Sequence, residues 1–293
     1  RGSGEVLDVI VENLRAAGRQ VQREHDDALA VAIVGRPNVG KSSLFNRLVG
    51  SERAIVHDEA GTTRDAIDTV AEFDGKRYRF IDTAGMRRRA KTSSGPEYYG
   101  LVRSLKAIDD ANVALHVIDA TQGPTDQDQR IARRIADAGC AAVIVLNKWD
   151  MTEAEDVDRI ADDIRDSLRF VPWAEMVRTS ALTQRGITKL IPAVERARES
   201  WQHRVPTATL NAWLREAVDR IPLGSTPRAR PTRIRYITQA GVRPPAFVLF
   251  ANGNVAEPAL RGLERRMREA FGFQGTPIKM IVRRSGRKVD DEH

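Results

Sequence analysis

The stretch from Gly35 to Ser42 has residue types and spacing that could bind a polyphosphate. Two glycines, separated by four residues, precede a lysine and a serine, which matches the phosphate-loop pattern G-x-x-x-x-G-K-[ST]. An apolar run precedes this stretch and a helical one follows it, which is the context that the motif needs. We therefore expect backbone amides and a helix N-terminus to face the phosphates of a nucleotide. The residues predicted to contact the nucleotide here are Gly35, Arg36, Pro37, Asn38, Val39, Gly40, Lys41, Ser42 and Ser43.

Catalysis at such a loop needs positive charge and a magnesium ion beside the outer phosphates. Lys41 supplies the charge, and the Ser42 hydroxyl is placed for Mg²⁺. Asp82 follows the predicted strand Tyr78-Arg79-Phe80-Ile81 and can hold Mg²⁺ through water, and Gly85 lets an amide approach a γ-phosphate. Thr63 lies in a polar stretch and can reach Mg²⁺ when a γ-phosphate is present. The predicted catalytic residues are Lys41, Thr63, Asp82 and Gly85, and the predicted Mg²⁺ ligands are Ser42, Thr63 and Asp82. The nucleotide is also expected to contact Asp82, Thr83, Ala84, Gly85 and Met86.

A second group of residues could select the base. A carboxylate at Asp150 can accept from both the ring N–H and the exocyclic amine of guanine, whereas adenine would leave that charge unmatched. The sequence therefore predicts a guanine nucleotide. Base contacts are expected from Asn147, Lys148, Trp149, Asp150, Ser180, Ala181 and Leu182.

Elements that could position these residues alternate between strand and helix from Ala30 to about Ser200. The predicted strands are Ala30–Val34, Thr69–Phe73, Arg77–Ile81, Val113–Asp119, Ala141–Asn147 and Glu175–Thr179. Such alternation predicts an α/β fold of the P-loop NTPase type, with a doubly wound, mostly parallel sheet. Ligands of such sheets sit at the carboxyl ends of strands, where these motifs fall.

Composition limits the classes of protein that this chain can belong to. No apolar window is long enough to span a bilayer, so we expect no membrane partner, and the lone Cys140 indicates a reducing cytoplasm. The chain has a net charge of +7, and residues 201–293 hold 17 Lys and Arg against 8 Asp and Glu. This basic excess favours a polyanionic partner, with a solubilising surface as the alternative.

The sequence after Trp201 predicts a small α+β domain in the order α-β-β-α-β. Its elements are expected at Ala208–Ile221, Thr232–Gln239, Ala246–Ala251, Glu257–Phe271 and Pro277–Arg283. Arg261, Arg265 and Arg268 fall on one helical face and are the predicted RNA contacts, through phosphates rather than bases. The alternative is that this face packs inward or is simply solvated. Gly272-Phe273-Gln274-Gly275 has the letters of a G-x-x-G loop, but it lies between a helix and a strand instead of two helices.

Taken together, GRPNVGKS, GTTRD, DTAGM, NKWD and SAL resemble translation-factor-related bacterial GTPases. The stretch 119–128, DATQGPTDQD, and the C-terminal region make the chain similar to the Der (EngA) family. That resemblance implies two tandem G domains and a KH-like domain acting in maturation of the large ribosomal subunit. By this likeness, residues 1–28 are a remnant helix and linker of a preceding G domain, 29–200 a second G domain, and 201–293 the KH-like domain. The first G domain would be absent.

The resemblance also carries expectations about mechanism. Met86 stands where Ras-like enzymes place a water-orienting Gln, and relatives with this feature and an Asn in the loop resemble potassium-dependent GTPases. Asn38 would then help to hold K⁺, although a plain turn residue is the alternative. The predicted function is a monomeric, cytoplasmic switch that binds GTP and GDP and hydrolyses GTP on ribosomal RNA and the large ribosomal subunit. The alternatives are a GTP-dependent RNA-binding adaptor in which hydrolysis only resets the state, and a tRNA-modification GTPase. The latter would need a long helical insertion or a C-terminal cysteine, and the sequence shows neither.

Overall fold

A computed structural model describes residues 28–57, 68–83, 105–218 and 232–284. In the N-terminal part, seven strands form one sheet in the order β2-β3-β4-β1-β5-β6-β7. These strands are β1 (Leu29–Val34), β2 (Ala54–His57), β3 (Thr69–Phe73), β4 (Lys76–Ile81), β5 (Val113–Asp119), β6 (Ala141–Asn147) and β7 (Glu175–Arg178). The pairs β4–β1, β1–β5, β5–β6 and β6–β7 are parallel. The pairs β2–β3 and β3–β4 are antiparallel. The predicted mostly parallel α/β sheet is confirmed.

Helices cover both faces of this sheet. They are α1 (Lys41–Val49), α2 (Asp126–Ala138), α3 (Val157–Ser167) and α4 (Leu190–Trp201), with short 3₁₀ turns at Trp149–Met151, Ala154–Asp156 and Ile187–Lys189. Alternate residues of the buried strands enter two separate cores. Val31 and Val143 pack with α1 and α4, whereas Ala32 and Ile144 pack with α2 and α3. Strands β1, β5 and β6 are buried along their whole length, which explains their continuous apolar sequences.

The C-terminal part has its own sheet and its own core. It contains α5 (Thr207–Val218), β8 (Ile234–Gly241), β9 (Ala246–Ala251), α6 (Glu257–Phe271) and β10 (Lys279–Arg284). The strand order is β10-β9-β8, with β8 antiparallel and β10 parallel to β9. This confirms the predicted α-β-β-α-β order. Trp201 belongs to a core of the first sheet and Val205 to the C-terminal core, while the domain boundary itself stays a prediction.

A loop of the C-terminal part joins the edge of the first sheet. The N–H of Ala142 in β6 donates to the carbonyl oxygen of Gly275 at 2.8 Å, and the N–H of Gly275 donates to that of Trp173 at 2.7 Å. Because β7 begins to pair with β6 only at Val143, this loop continues the hydrogen bonding of β6 beyond the first residue of β7. The contact lies at the opposite end of β6 from Asn147.

Among the described residues, no helix is both long and apolar enough to cross a bilayer. Residues 1–27 lie outside the described part, so the remnant helix and linker stay a prediction.

Candidate nucleotide-binding site

The loop between β1 and α1 has a backbone that only glycine fits at two positions. Gly35 has a φ of 150°, and a Cβ atom there would lie 2.3 Å from the carbonyl oxygen of Val117. Gly40 has a φ of 95°, and a Cβ atom there would lie 2.2 Å from Nδ2 of Asn147. Such backbones are rare for side chains with a Cβ atom. The two glycines of the motif are therefore required by close packing as well as by conformation.

Lys41 and Ser42 open helix α1 at the end of this loop. The Nζ atom of Lys41 donates to the carbonyl oxygen of Gly35 at 2.7 Å and to that of Arg36. The lysine is therefore folded over its own loop. Its ammonium group and the first amides of α1 concentrate positive potential at one place, which suits an anion.

Asn147 connects the phosphate loop to the two loops predicted to contact the base. Its Nδ2 atom donates to the carbonyl oxygen of Val39 at 2.8 Å. Its Oδ1 atom accepts from the N–H of Ala181 at 3.1 Å and from the hydroxyl of Thr179 at 3.3 Å. The side chain is buried, so its polar atoms depend on these protein partners instead of water. One amide thus holds together three stretches that are distant in the sequence.

A cavity of about 460 Å³ opens beside this amide. Its lining residues are Gly40, Ser43, Asn46, Arg47, Asn147, Lys148, Asp150, Met151, Ala181 and Leu182. The sequence analysis missed Asn46, Arg47 and Met151. Asn46 and Arg47 lie on α1 about one helical turn beyond the loop, which is a signal that helical spacing could have provided. Arg47 fixes the rim, because its Nε atom donates to the carbonyl oxygen of Ala181 at 3.2 Å.

The ammonium group of Lys148, a residue that lines the cavity, contacts a buried carboxylate. It adopts a φ of 62°, and its Nζ atom lies 2.6 Å from Oδ2 of Asp119 at the end of β5. Oδ1 of Asp119 accepts from the N–H and the hydroxyl of Thr121, at 3.0 and 2.7 Å. Burial by itself raises the pKa of Asp119, but the hydrogen bonds from Lys148 and Thr121 hold that pKa below its ordinary value. Lys148 therefore ties the base-side loop to the strand beneath it, and the exposed Asp150 is left facing the cavity.

Trp149 and Ser180 stabilise the two loops from which Asp150 and Leu182 reach the cavity. The guanidinium of Arg178 stacks over the ring of Trp149 at 4.5 Å from its centre, and the N–H of Trp149 donates to the carbonyl oxygen of Thr179 at 3.0 Å. The hydroxyl of Ser180 accepts from the N–H of Thr183 at 3.0 Å, which closes a turn after Ala181. Trp149 and Ser180 therefore support the loops, whereas Asp150 and Leu182 face the open space.

Asp82 and Thr83 follow β4 at the carboxyl edge of the sheet. Asp82 has a φ of 55°, and its N–H donates to Oδ1 of Asp68 at 3.0 Å. Asp68 is paired with Arg79 at 2.9 Å, and the Thr83 and Thr69 hydroxyls share a hydrogen bond of 2.7 Å. These contacts fix the start of the loop. Thr63, Ala84, Gly85 and Met86 lie outside the described residues, so their predicted roles stay predictions.

The side chain of Arg36 leaves the phosphate loop and enters the turn before α2. Its Nε atom lies 2.7 Å from Oδ2 of Asp128, and its terminal nitrogens donate to the side chain of Gln122 at 3.3 Å and the carbonyl oxygen of Gly123 at 3.4 Å. Pro37 and Asn38 form the outer part of the loop, and Asn38 is exposed with a φ of 64°. Arg36 therefore serves the shape of the loop, whereas its backbone faces the lysine.

The three arginines predicted to contact RNA do not share one environment. The side chains of Arg261 and Arg265 are 66% and 76% exposed, but that of Arg268 is only 12% exposed. Arg268 donates to the carbonyl oxygens of Phe273 and Thr276 at 2.5 and 2.7 Å, and it pairs with Glu264. Burial lowers its pKa below the ordinary value, and Glu264 opposes that effect. Helical spacing placed Arg268 on an outer face, but its contacts draw it into the loop that joins the first sheet.

Comparisons with known proteins agree with this geometry. Residues 30–148 match the family described as a 50S ribosome-binding GTPase, and residues 204–283 match the KH-domain-like C-terminal region of EngA bacterial GTPase enzymes. GTPase Der of Salinispora arenicola is 45% identical over 283 residues, covering 97% of this chain and 60% of that protein. GTPase Der of Mycobacterium marinum is 44% identical with the same coverage. The solved structure of Era with MgGDPNP and a 16S ribosomal RNA fragment is 23% identical, covers 90% of this chain and 95% of Era, and has a TM-score of 0.45.

The chain thus spans about 60% of the length of the curated relatives that it matches. The two matched regions lie in the order expected for a G domain followed by a KH-like domain. On these grounds the chain belongs to the Der (EngA) family of GTPases.

Proposed function

We propose that this chain binds GTP and GDP and hydrolyses GTP. The observation that carries the proposal is the buried side chain of Asn147, which bonds to Val39 of the phosphate loop and to Ala181 beside the base cavity. A phosphate cradle and a base cavity are thereby held at a fixed separation. A nucleotide that spans both would be bound at its two ends by one rigid scaffold.

Selection of guanine would come from Asp150 at the cavity wall. Calorimetry with GTP, GDP and ATP tests this directly: GTP and GDP should bind, and ATP should bind at least about a hundredfold more weakly. Asp150→Asn should reduce this preference because an amide cannot accept from both guanine donors. A wild-type chain that binds ATP as well as GTP, or an Asp150→Asn variant with the original preference, would contradict the proposal.

The residues present fit a magnesium ion that is shared with the nucleotide. Ser42 offers a hydroxyl at the start of α1, and Asp82 offers a carboxylate at the end of β4. Within the described part of the chain, no group of three or more His, Cys, Asp or Glu side chains is placed to hold a metal by itself, so Mg²⁺ would depend on phosphate oxygens. When bound, Mg²⁺ neutralises charge on the β- and γ-phosphates. Lys41 would stabilise the same charge, with Thr63 and Gly85 completing the site around the γ-phosphate.

Potassium stimulation is a further part of the proposal. Asn38 lies exposed on the outer part of the phosphate loop, where its side chain could share a K⁺ ion with the phosphates. Met86 has no group that could orient water. The K⁺ ion beside the phosphates would instead supply electrostatic stabilisation of the transition state. Turnover should be faster in KCl than in NaCl at equal ionic strength, and Asn38→Ala should remove that difference. Equal turnover in the two salts would contradict this part alone.

The proposed setting is assembly of the large ribosomal subunit in the cytoplasm, by a monomer that contacts ribosomal RNA. Support comes from the description of the matched family as 50S ribosome-binding and from the basic C-terminal region. Co-sedimentation with large subunits, in GDP and in a non-hydrolysable GTP analogue, tests the setting across a salt series. Binding that depends on the nucleotide, with turnover stimulated by the particles, supports a hydrolysing switch. Nucleotide-dependent binding without stimulation would favour an adaptor that hydrolyses GTP only to reset.

A further inference from the structure

The charges of the C-terminal part are segregated between its helices and its sheet. The acidic residues among 202–218 and 232–284 all lie on α5 and α6, and they are Glu216, Glu257, Glu264 and Glu269. The three strands contain no acidic residue, and their basic residues are Arg235, Lys279, Arg283 and Arg284. Ile234, Ala251 and Arg284 are aligned across the three strands. Arg235, Arg283 and Arg284 therefore lie at the same end of the sheet, which is its most basic part.

Two aromatic rings lie in the same region of the sheet. Tyr236 is aligned with Phe250, which is aligned with Arg283, so the three side chains form a row on one face. The ring centres of Tyr236 and Phe250 are 5.9 Å apart. The C-terminal core uses the opposite face, through Leu249 and its neighbours. The row is therefore not needed to build that core.

A β-bulge increases the exposure of this row. The pairing of β8 with β9 shifts between Ile234 and Tyr236, so Arg235 is an extra residue in its strand. As a result Arg235 and Tyr236 are both exposed, although neighbouring residues of a regular strand point to opposite faces. The Tyr236 side chain is left 43% exposed. The ring of Tyr236 is therefore accessible to a partner, next to arginines.

The arginines of the sheet differ from those of helix α6 in their partners. Arg261 and Arg265 face Glu257 and Glu269 at 3.5 and 4.0 Å, which partly cancels their charge. Within the described ranges, no carboxylate lies within ion-pair distance of Arg235, Arg283 or Arg284. Their charge is available to an anionic partner, and charge complementarity favours the sheet over the helix.

We propose that the sheet strip, defined as Arg235, Tyr236, Phe250 and Arg283, binds single-stranded RNA. A base would stack on Tyr236 while the arginines contact the phosphates on either side. Neighbouring strands are about 4.8 Å apart, so the row from Tyr236 to Arg283 is about 10 Å wide, which suits one or two nucleotides. Duplex RNA keeps its bases stacked inside and offers no free base face, so the strip should prefer single strands. The inference rests on the proposed function and assigns its RNA contact to the sheet.

The test is fluorescence anisotropy of the full chain with a labelled single-stranded oligouridine of about twelve nucleotides, and with a duplex of equal length. Tyr236→Ala should weaken oligouridine binding about five- to a hundredfold, as expected for the loss of one stacked base. Tyr236→Phe retains the ring and should bind oligouridine like the wild type. If the hydroxyl group of Tyr236 were what matters, this variant would bind as weakly as Tyr236→Ala. Arg283→Gln should weaken binding and lower the slope of log K against log salt by about one.

The matched control is the double variant Arg261→Gln/Arg265→Gln, which removes two exposed arginines from the same domain. It should bind oligouridine within about twofold of the wild type, since the removed charges are already paired. The inference is overturned if this control loses binding while Tyr236→Ala retains it, if the wild type prefers the duplex, or if it binds neither probe. GTP binding is measured in parallel. A wild type without guanine-nucleotide binding would overturn the proposed function, and the oligouridine titrations would still decide on the strip.

Discussion

The carboxylate of Asp128 lies 2.7 Å from the guanidinium of Arg36, so the N-terminus of α2 holds the phosphate loop in place. Asp128 is buried, and its Oδ2 atom also accepts from the N–H and hydroxyl of Thr125, at 3.0 and 2.9 Å. Its Oδ1 atom faces Nε2 of the buried His116 at 3.6 Å. A buried carboxylate needs a cation or several donors nearby, and Arg36 supplies the charge. The shape of the loop is thus fixed partly from outside the site.

Removing one member of this pair should destabilise the protein and weaken nucleotide binding. Arg36→Gln leaves the carboxylate of Asp128 buried without its cation, a change that typically costs about 3–5 kcal/mol. Because the Arg36 side chain is partly accessible to water, we expect a value at the lower end. Denaturant titration and GDP calorimetry measure the two effects. Asp109→Asn is the control, since it breaks a more exposed pair with Arg134 on the same helix and should cost less than about 1 kcal/mol. Equal losses in both variants would contradict this account.

Stability in acid should depend on Asp128. Burial by itself raises the pKa of this carboxyl, but the His116 imidazole 3.6 Å away and the hydrogen bonds from Thr125 hold the pKa below its ordinary value of 3.8. The folded chain therefore binds a proton at Asp128 less readily than the unfolded chain does. This stabilisation is present above the ordinary pKa and is lost as the pH falls through the lower, folded value. The free energy of unfolding, measured between about pH 5 and pH 2, should fall less steeply with decreasing pH for Asp128→Asn than for the wild type. Parallel curves would show that this carboxyl is not responsible.

A methyl group at Gly40 should abolish the nucleotide site. The added Cβ atom would lie 2.2 Å from Nδ2 of Asn147, so the amide that joins the two halves of the site must move. A displacement of this size can lower binding or turnover about a hundredfold. Gly75→Ala is the matched control, because Gly75 also has a positive φ, 76°, but nothing lies within 4 Å of its added Cβ. Calorimetry with GDP should show a loss for Gly40→Ala only. Similar affinities in the two variants would exclude the proposed role of Asn147.

The sequence was informative wherever burial or a rigid motif determined the structure. The buried strands β1, β5 and β6 have continuous apolar sequences, and their bounds were predicted within one residue. Strand β2 was missed. It has only four residues, lies at the edge of the sheet and contributes no fully buried side chain, so neither hydrophobic periodicity nor length distinguished it from a loop.

Contacts between distant parts of the chain were beyond the reach of sequence patterns. The motifs predicted that Asn147 and the phosphate loop would contact the same nucleotide, but nothing local predicted that Arg36 would turn towards Asp128. Arg268 shows the same limit. Its helical spacing matched an exposed face, and only the position of the loop after α6, with Trp173 5.9 Å from its guanidinium, draws the side chain inward. Periodicity predicts which way a residue points from its own element, whereas a long side chain can still bend towards a partner.

The junction between the two parts of the chain should be sensitive to a single methyl group at Gly275. This glycine has a φ of 76°, and an added Cβ atom would lie 2.7 Å from Cβ and 2.8 Å from Cα of Ala197 in α4. Helix α4 is anchored in a core of the first sheet, so the loop must retreat and weaken its hydrogen bonds with Ala142 and Trp173. Overpacking of this kind typically costs about 1–3 kcal/mol in addition to the strain of the positive φ.

Gly272→Ala separates these two costs. Gly272 lies in the same loop with a φ of 74°, but an added Cβ atom there meets nothing within 4 Å. It should therefore show only the cost of backbone strain, about 1 kcal/mol. Hydrogen exchange should report faster exchange at the amide of Ala142 in Gly275→Ala and unchanged exchange in Gly272→Ala. If both variants leave that amide protected, the loop is not what continues the hydrogen bonding of β6, and the two parts of the chain must be held together by other contacts.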